Sequence, residues 1–254
     1  DALDAIQELI TNDPNEALLF NIQGACYAGL NKFNLAKESY TKSVALNPGY
    51  AKAHYNLAGA LHELDEFDAS IQSYQNALLI ESDYAEAHNN LGNILKELRK
   101  IKEAKKAFQD SIKLKPNYTE AHYNMGIMFE EQGDFIKAKK KFETVVKLDP
   151  GYVRAHYSLS KLKTFDKEDE HFTQMQNLYY DKSLSNEQRS QLCFALAKSF
   201  EDMNNFSSAF RYYTEGNKLK KKLLDYNINQ DVDHFDKIKE SAQNIKKNSL
   251  KNFN

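Results

Sequence analysis

The feature that most constrains this chain is a pattern that returns every 34 residues. The tetrapeptide AHYN at residues 53–56 recurs as AHNN at 87–90, as AHYN at 121–124 and as AHYS at 155–158. The chain has four prolines, and all of them lie on the same spacing, at Pro14, Pro48, Pro116 and Pro150. Chance would give that proline spacing roughly once in forty thousand sequences, and 34 residues is a period typical of solenoid proteins. The sequence therefore predicts a tandem array of small, similar units.

Each unit is predicted to contain two amphipathic helices joined by a short polar turn. In the second unit, apolar residues recur with helical spacing over about residues 51–64 and again over about residues 67–80. A small residue occupies an equivalent place in each first helix (Gly24, Ala58, Gly92, Gly126), and an aromatic residue in each second helix (Tyr40, Tyr74, Phe108, Phe142). A small residue lets two helices approach closely while an aromatic ring fills the gap. The pattern therefore predicts antiparallel helix pairs.

These units resemble the tetratricopeptide repeat. The third unit carries the characteristic residues of that family at His88, Leu91, Gly92, Leu95, Ala104, Phe108, Ser111 and Pro116. The resemblance implies an all-α fold, namely a right-handed superhelical solenoid of antiparallel helix pairs with a C-terminal capping helix. Residues 1–14 are assigned to the second helix of a truncated repeat and residues 15–150 to four full repeats. Residues 151–184 and 185–223 are assigned to degenerate fifth and sixth repeats, and residues 224–254 to the capping helix and tail.

The repeated histidines, His54, His88, His122 and His156, are predicted to be packing residues. Equivalent atoms of successive units lie about 10 Å apart, which is one helix diameter. The ligands of one zinc ion each lie about 2 Å from the metal. The four histidines therefore cannot share an ion. For the chain as a whole we predict no metal, no cofactor and no catalytic site. The remaining histidines, His62, His171 and His234, follow no pattern and are predicted to lie at the surface.

Two interpretations stay open for the asparagines that follow these histidines, Asn56, Asn90 and Asn124. They either form bridging hydrogen bonds between helices or offer a row of amides to the backbone of an extended peptide. The superhelix of the O-GlcNAc transferases, built from the same repeat, is similar in having an asparagine ladder. The predicted partner-binding groove consists of Asn21, Lys52, Tyr55, Asn56, Asn89, Asn90, Asn93, Tyr123, Asn124, Arg154 and Tyr157.

The C-terminal third carries a second resemblance. Residues 192–198 (LCFALAK), with Glu201-Asp202, Ala209-Phe210 and Gly216-Asn217, resemble the end of the repeat region in bacterial proteins that join tetratricopeptide repeats to a sulfotransferase domain. In that family a Gly-rich phosphate-binding loop follows, and no such loop is present in these 254 residues. This chain alone is therefore not expected to transfer sulfonate. Ser185 and Gln188, just before this stretch, are predicted to form a helix capping box.

Composition excludes several classes of function. The chain has 34 basic and 36 acidic residues, so no global field attracts nucleic acid or an anionic membrane. No apolar run approaches the roughly 20 residues needed to span a bilayer, and the N-terminus lacks a signal-peptide pattern. Cys26 and Cys193 follow no metal or redox spacing, which fits a reducing compartment. A cytoplasmic location is therefore predicted.

The leading functional hypothesis is a non-catalytic interaction scaffold that binds an extended peptide or a partner domain in its concave groove. The alternative is a substrate-recruiting or dimerising N-terminal arm of a bacterial sulfotransferase whose catalytic domain lies outside this chain. The expected partner is a protein or peptide, a homodimer is left open, and neither nucleic acid nor a membrane span is expected.

Overall fold

The computed structural model describes residues 2–224 together with residues 235 and 237–239. Residues 2–223 form thirteen helices, and none of the described residues lies in a strand. The prediction of an all-α fold is confirmed. The chain divides into two compact units, Asp1–Pro150 and Gly151–Asn254. Each unit buries a set of apolar side chains of its own.

The first unit consists of one short helix followed by four helix pairs. Helix α1 (Ala2–Asn12) packs on α2, the first member of the first pair. The pairs are α2 (Ala17–Gly29) with α3 (Phe33–Leu46), α4 (Ala51–Glu63) with α5 (Phe67–Ile80), α6 (Ala85–Glu97) with α7 (Ile101–Leu114), and α8 (Thr119–Glu131) with α9 (Phe135–Leu148). Each second helix packs on its own first helix, and α3, α5 and α7 also pack on the first helix that follows. The unit is therefore a tandem stack of hairpins.

The turn within each hairpin is closed by one residue with a positive φ angle. These residues are Asn31 (57°), Asp65 (59°), Arg99 (59°) and Gly133 (75°), again 34 residues apart. A left-handed residue ends a helix because it turns the chain while the following amide groups bond the last carbonyls. Glycine adopts this conformation without strain, and Asn and Asp tolerate it. The turn is thus set by backbone geometry rather than by one conserved residue type.

The close approach of the paired helices occurs at the predicted glycines. A Cβ atom added to Gly92 would lie 2.7 Å from Phe108 Cε1, and one added to Gly126 would lie 2.6 Å from Phe142 Cε1. Such distances are far inside van der Waals contact, so the ring occupies the space that a side chain would need. Both rings are completely buried. The predicted pairing of a small residue with an aromatic residue is confirmed at these positions.

The second unit contains four described helices. They are α10 (Val153–Leu162), α11 (Glu170–Tyr179), α12 (Asn186–Asp202) and α13 (Phe206–Leu223). Helix α12 packs on the other three. The predicted capping box is confirmed at its start, because Ser185 Oγ accepts from the Gln188 amide (3.2 Å) while Gln188 Oε1 accepts from the Ser185 amide (3.0 Å).

The 34-residue pattern breaks at the segment between α10 and α11, which is not helical over residues 163–169. Phe165 from this segment is buried against the core of the unit. Asp202 on α12 accepts a hydrogen bond from the Phe165 amide (3.0 Å), and Lys198 on α12 bonds the Lys163 carbonyl. Lys163 in turn pairs with Asp169, which caps α11. The start of the segment, residues 163–165, is therefore fixed to α12, and its end to α11.

His171 corrects one prediction, because it is buried rather than at the surface. Only 8% of the residue is exposed. Its ring stacks on His156 (centroids 5.1 Å apart, planes at 15°) and on Phe165 (5.7 Å, 27°). Neither ring nitrogen of His171 has a hydrogen-bond partner. The prediction failed because the segment 163–169 folds over α11, and no local sequence pattern reports that contact. His62 is partly exposed, and His234 lies outside the described residues.

The predicted capping helix over 224–254 lies mostly outside the described residues. Residues 235 and 237–239 are helical, and Phe235 and Ile238 are exposed. Among the described helices, none combines the length and the apolar character that crossing a bilayer requires.

Candidate functional site

The first helices of the first unit, α2, α4, α6 and α8, are joined side by side into one layer, here called the first-helix face. Hydrogen bonds between side chains 35 residues apart link neighbouring helices. Asn56 Nδ2 donates to Asn21 Oδ1 (2.8 Å), Asn90 Nδ2 to the Tyr55 hydroxyl (2.9 Å), and Asn124 Nδ2 to Asn89 Oδ1 (3.1 Å). The step of 35 is one repeat plus one residue, so each bond reaches the equivalent turn of the next helix.

Two further contacts with the same 35-residue step, a His–Glu hydrogen bond and a Lys–Glu ion pair, join the C-terminal ends of these helices. His62 Nε2 lies 3.0 Å from Glu97 Oε2, and Lys96 Nζ lies 3.3 Å from Glu131 Oε1. Pairs as exposed as these contribute little to stability, typically about 0–1 kcal/mol. The side chains of Glu97 and Glu131 remain 53% and 41% exposed, so water and solutes still reach them.

The observed bonds of the asparagines are those of the bridging interpretation. These bonds do not occupy every polar group of each side-chain amide. A carboxamide has two N–H donors and a carbonyl oxygen with two lone pairs, and each bridge uses one N–H of Asn56, Asn90 or Asn124. Asn90 Oδ1 also accepts one hydrogen bond, from Asn89 Nδ2 (3.1 Å). All three side chains are half-buried, with one side toward solvent. Each amide can thus hold a neighbouring helix and still offer polar groups to a peptide backbone. The two interpretations are compatible.

Beside the amides lies an aromatic cluster of Lys52, Tyr55 and Tyr84. The two tyrosine rings are stacked, with centroids 4.8 Å apart and planes at 27°. Lys52 Nζ lies 5.0 Å from the Tyr55 ring centroid and 3.1 Å from the Tyr84 hydroxyl oxygen, to which it donates. Burial raises the pKa of Tyr55, and the adjacent Tyr84 adds to this. Burial, with Glu86 nearby, raises the pKa of Tyr84 to about 12. Both hydroxyls therefore keep their protons at physiological pH.

The predicted groove residues differ in how accessible they are. Asn21, Asn89 and Tyr123 are buried, so they support the face from behind. Lys52 is exposed, and the half-buried members in the first unit are Tyr55, Asn56, Asn90, Asn93 and Asn124. Arg154 and Tyr157 lie on α10 in the second unit, one exposed and one half-buried.

Sequence reasoning missed Tyr84 as a member of this surface. Tyr84 precedes α6 at the N-cap position and belongs to a regular row with Tyr50, Tyr118 and Tyr152. That row was visible in the sequence, but its position in a turn between repeats gave no sign that the ring stacks on a first helix.

The preceding turn is bonded by the repeated histidines. The Nε2 atoms of His54, His88 and His122 donate to the carbonyls of Pro48, Ser82 and Pro116 (3.0, 3.3 and 2.9 Å).

These histidines therefore hold the turns between repeats, which agrees with their predicted packing role. His54, His122 and His156 are buried and His88 is partly exposed. Burial lowers the pKa of His122, opposed by its bond to Pro116. In the part of the chain that the structure describes, no group of three or more His, Cys, Asp or Glu side chains is placed to hold a metal ion.

Comparison with known protein families identifies the repeats directly. Profiles described as tetratricopeptide repeat match residues 19–50, 85–118 and 119–152, and one described as TPR repeat matches residues 60–99. No curated protein sequence matches the chain.

Solved structures of similar fold cover most of the chain. One is described as YrrB, a TPR protein with an unusual peptide-binding site; it has 20% identity and a TM-score of 0.54 over 83% of this chain and 98% of that one. PilF of Pseudomonas aeruginosa has 22% identity and a TM-score of 0.60 over 81% and 97%. MamA of Desulfovibrio magneticus RS-1 has 13% identity and a TM-score of 0.53 over 81% and 96%. At identities this low, the structural similarity establishes a shared fold alone.

Proposed function

Because residues 19–50 and 60–152 carry tetratricopeptide repeats, we propose that the chain is a protein-interaction scaffold whose first-helix face is the peptide-binding groove. The occupant is an extended peptide or an extended segment of a partner domain. The observation that carries the proposal is the row of half-exposed amides, Asn56, Asn90 and Asn124, beside the stacked tyrosines.

Amides and tyrosines suit this task for separate reasons. The backbone of an extended peptide presents alternating N–H and C=O groups, and a carboxamide pairs with both types without reading the side chains. Stacked tyrosines supply a rigid, flat contact surface that loses little conformational entropy on binding. The bridges to neighbouring helices fix the amides in place before a peptide arrives, which lowers the cost of binding. The peptide-binding site in the description of YrrB, a protein of the same fold, supports the choice of a peptide as the ligand class.

A displayed peptide library captured on the full chain tests the proposal. The main variant is Asn90→Ala with Asn124→Ala, and the expected result is a loss of affinity of about tenfold or more for captured peptides, since two hydrogen bonds are removed. The matched control is Gln75→Ala with Gln109→Ala, which removes two exposed amides from the second helices α5 and α7. That control should bind as the parent does.

The double variant also removes two bridges, so its folding is checked by circular dichroism. Asn93→Ala is a second variant, because Asn93 is half-buried on α6 and its amide takes no part in the bridges described above. Unchanged binding by both variants contradicts the proposal, as does equal loss in the Gln75/Gln109 control.

The sulfotransferase arm is the second candidate function, and it rests on the sequence pattern of residues 192–217. The structure supplies a packing reason for part of that pattern, because Leu192, Ala195, Leu196 and Ala197 are completely buried between α12 and its neighbours. Sequencing the parent gene past the codon for Asn254 separates the two candidate functions. A sulfotransferase domain there supports the sulfotransferase arm, and a stop codon there contradicts it. Homodimerisation, which either candidate permits, is tested by light scattering of the purified chain.

A further inference from the structure

Charge is sorted between the two layers of the first unit. The first helices α2, α4, α6 and α8 contain six carboxylates and two lysines, which gives a formal charge of −4. The second helices α3, α5, α7 and α9 contain eleven lysines and five carboxylates, which gives +6. The near-neutral composition of the whole chain hides this separation. An acidic layer attracts cationic partners and repels phosphate backbones.

The acidic character increases along the first-helix face. Helix α2 has no charged residue, α4 has one lysine and one glutamate, α6 has one lysine and two glutamates, and α8 has three glutamates and no lysine. Glu63, Glu97, Glu120 and Glu131 are all exposed. The contacts of Glu97 with His62 and of Glu131 with Lys96 leave 53% and 41% of the two glutamate side chains exposed, so these groups can still bind a cation of the partner.

The uncharged end of the face exposes apolar side chains instead. Leu18 and Ile22 lie one turn apart on α2 and are 47% and 40% exposed. They occupy the positions equivalent to Lys52 and Asn56 on the next first helix, 34 residues later. The face therefore runs from an apolar end on α2, through the aromatic cluster on α4 and the amides of α6, to the carboxylates of α8.

We propose that the occupant of the first-helix face is a basic extended segment with an apolar residue at one end, which binds on Leu18 and Ile22, and with Lys or Arg residues that pair with the carboxylates of α6 and α8. This inference rests on the proposed function, because it specifies the peptide that the groove takes. Adjacent helices are about 10 Å apart, and an extended chain advances about 3.3 Å per residue. The apolar residue and the basic residues are thus separated by about six to nine positions.

Fluorescence anisotropy with the full chain tests the inference. The probes are three labelled peptides of about twelve residues, each with leucine near one end. The first carries Lys and Arg six to nine positions away, and the other two carry Gln or Glu in their place. The basic peptide should bind about tenfold more tightly than the Gln peptide, and its advantage should shrink between about 50 mM and about 300 mM salt. The Glu peptide should bind weakest.

Two variants with the same change of charge locate the effect. Glu120→Gln with Glu131→Gln removes two carboxylates from the first helix α8, and Glu103→Gln with Glu143→Gln removes two from the second helices α7 and α9. All four side chains are exposed, and Glu103 and Glu120 both lie in the first turn of their helices, so each variant loses one favourable first-turn carboxylate. Only the first variant should reduce the preference for the basic peptide, by about threefold or more.

Leu18→Ser with Ile22→Ser tests the apolar end. This variant should weaken the leucine-containing basic peptide and leave a peptide with alanine in that place unchanged. Binding that is independent of peptide charge, or equal effects of the two carboxylate variants, overturns the inference. If charge is without effect but Asn93→Ala still weakens binding, the groove stands and only this inference fails. If no probe binds and the displayed library also captures nothing, both fail.

Discussion

At the scale of single residues, the fold depends on close contacts that a 34-residue pattern identifies well. Gly92 and Gly126 were predicted as contact points because an aromatic residue recurs at a fixed distance after each, and the structure places those rings directly over them. Exposure of individual polar side chains was less predictable. Asn89 and Asn90 are neighbours in sequence, yet one is buried and the other half-exposed, because a residue's place around the helix decides which side faces the next repeat.

Gly92→Ala should destabilise the first unit by about 1–3 kcal/mol, because its new methyl group would overlap the Phe108 ring. Gly29→Ala is the matched control, since Gly29 is the last residue of α2 and a Cβ there meets nothing within 4 Å. The control should be neutral or slightly stabilising. Urea denaturation followed by circular dichroism measures both. Equal stability of the two variants would show that the helices do not approach as described.

His171 gives the second unit a dependence on pH. Burial, with smaller effects from His156 and Lys163 and opposed by Asp169, lowers the pKa of His171 to about 3, from an ordinary value of 6.5. Between these values the unfolded chain binds a proton that the folded chain does not, so stability rises with pH across this window. The stability contributed by the neutral His171 is fully present above about pH 6.5 and is lost as the pH falls.

His171→Phe should therefore reduce the loss of thermal stability between about pH 7 and about pH 5, because phenylalanine can stack on His156 and Phe165 without taking up a proton. The matched control is His62→Gln, which changes a partly exposed histidine paired with Glu97. Melting followed by circular dichroism at both pH values gives the comparison. A pH dependence as steep in His171→Phe as in the parent would mean that His171 is not the buried neutral group described.

At the scale of elements, the hairpin turns have a backbone conformation that could not be predicted from the sequence. Their positions were predictable from the polar residues between the helices, but the positive φ angle was not, because the four positions do not share one residue type and Arg99 is not a residue that favours this conformation. Arg99 carries a strain that the glycine at the equivalent position avoids. A break within residues 151–184 was predicted, because these residues were assigned to a degenerate repeat. Its structure was not, because the bonds from Lys198 and Asp202 come from 35 or more residues away.

Arg99→Gly should stabilise the first unit by about 0.5–1 kcal/mol, since relief of backbone strain outweighs the extra freedom of glycine in the unfolded chain. The reciprocal change, Gly133→Arg, places a side chain in the same conformation (φ 75°) and should destabilise the unit. Denaturant midpoints measure both effects. A loss of stability in Arg99→Gly would contradict the account of the turn.

At the scale of the whole molecule, the all-α architecture follows from the sequence because every repeat restates the same local rules of period, small residue and turn. The candidate site could be predicted from the sequence only in part. The asparagine row was read from the sequence, whereas the Tyr55–Tyr84 stack and the sorting of charge between helix layers depend on which helices become neighbours. Both arise from the stacking of repeats, so the proposed binding surface is a property of several repeats together.

The most direct test of the central claim is to map where a bound peptide lies. A library-selected peptide carrying a photo-crosslinking residue is irradiated in complex with the full chain, and the crosslinked sites are identified by mass spectrometry. The account predicts crosslinks on α2, α4, α6 and α8, concentrated around Tyr55, Asn90 and Asn93. Crosslinks concentrated instead on α3, α5, α7 and α9 would contradict it.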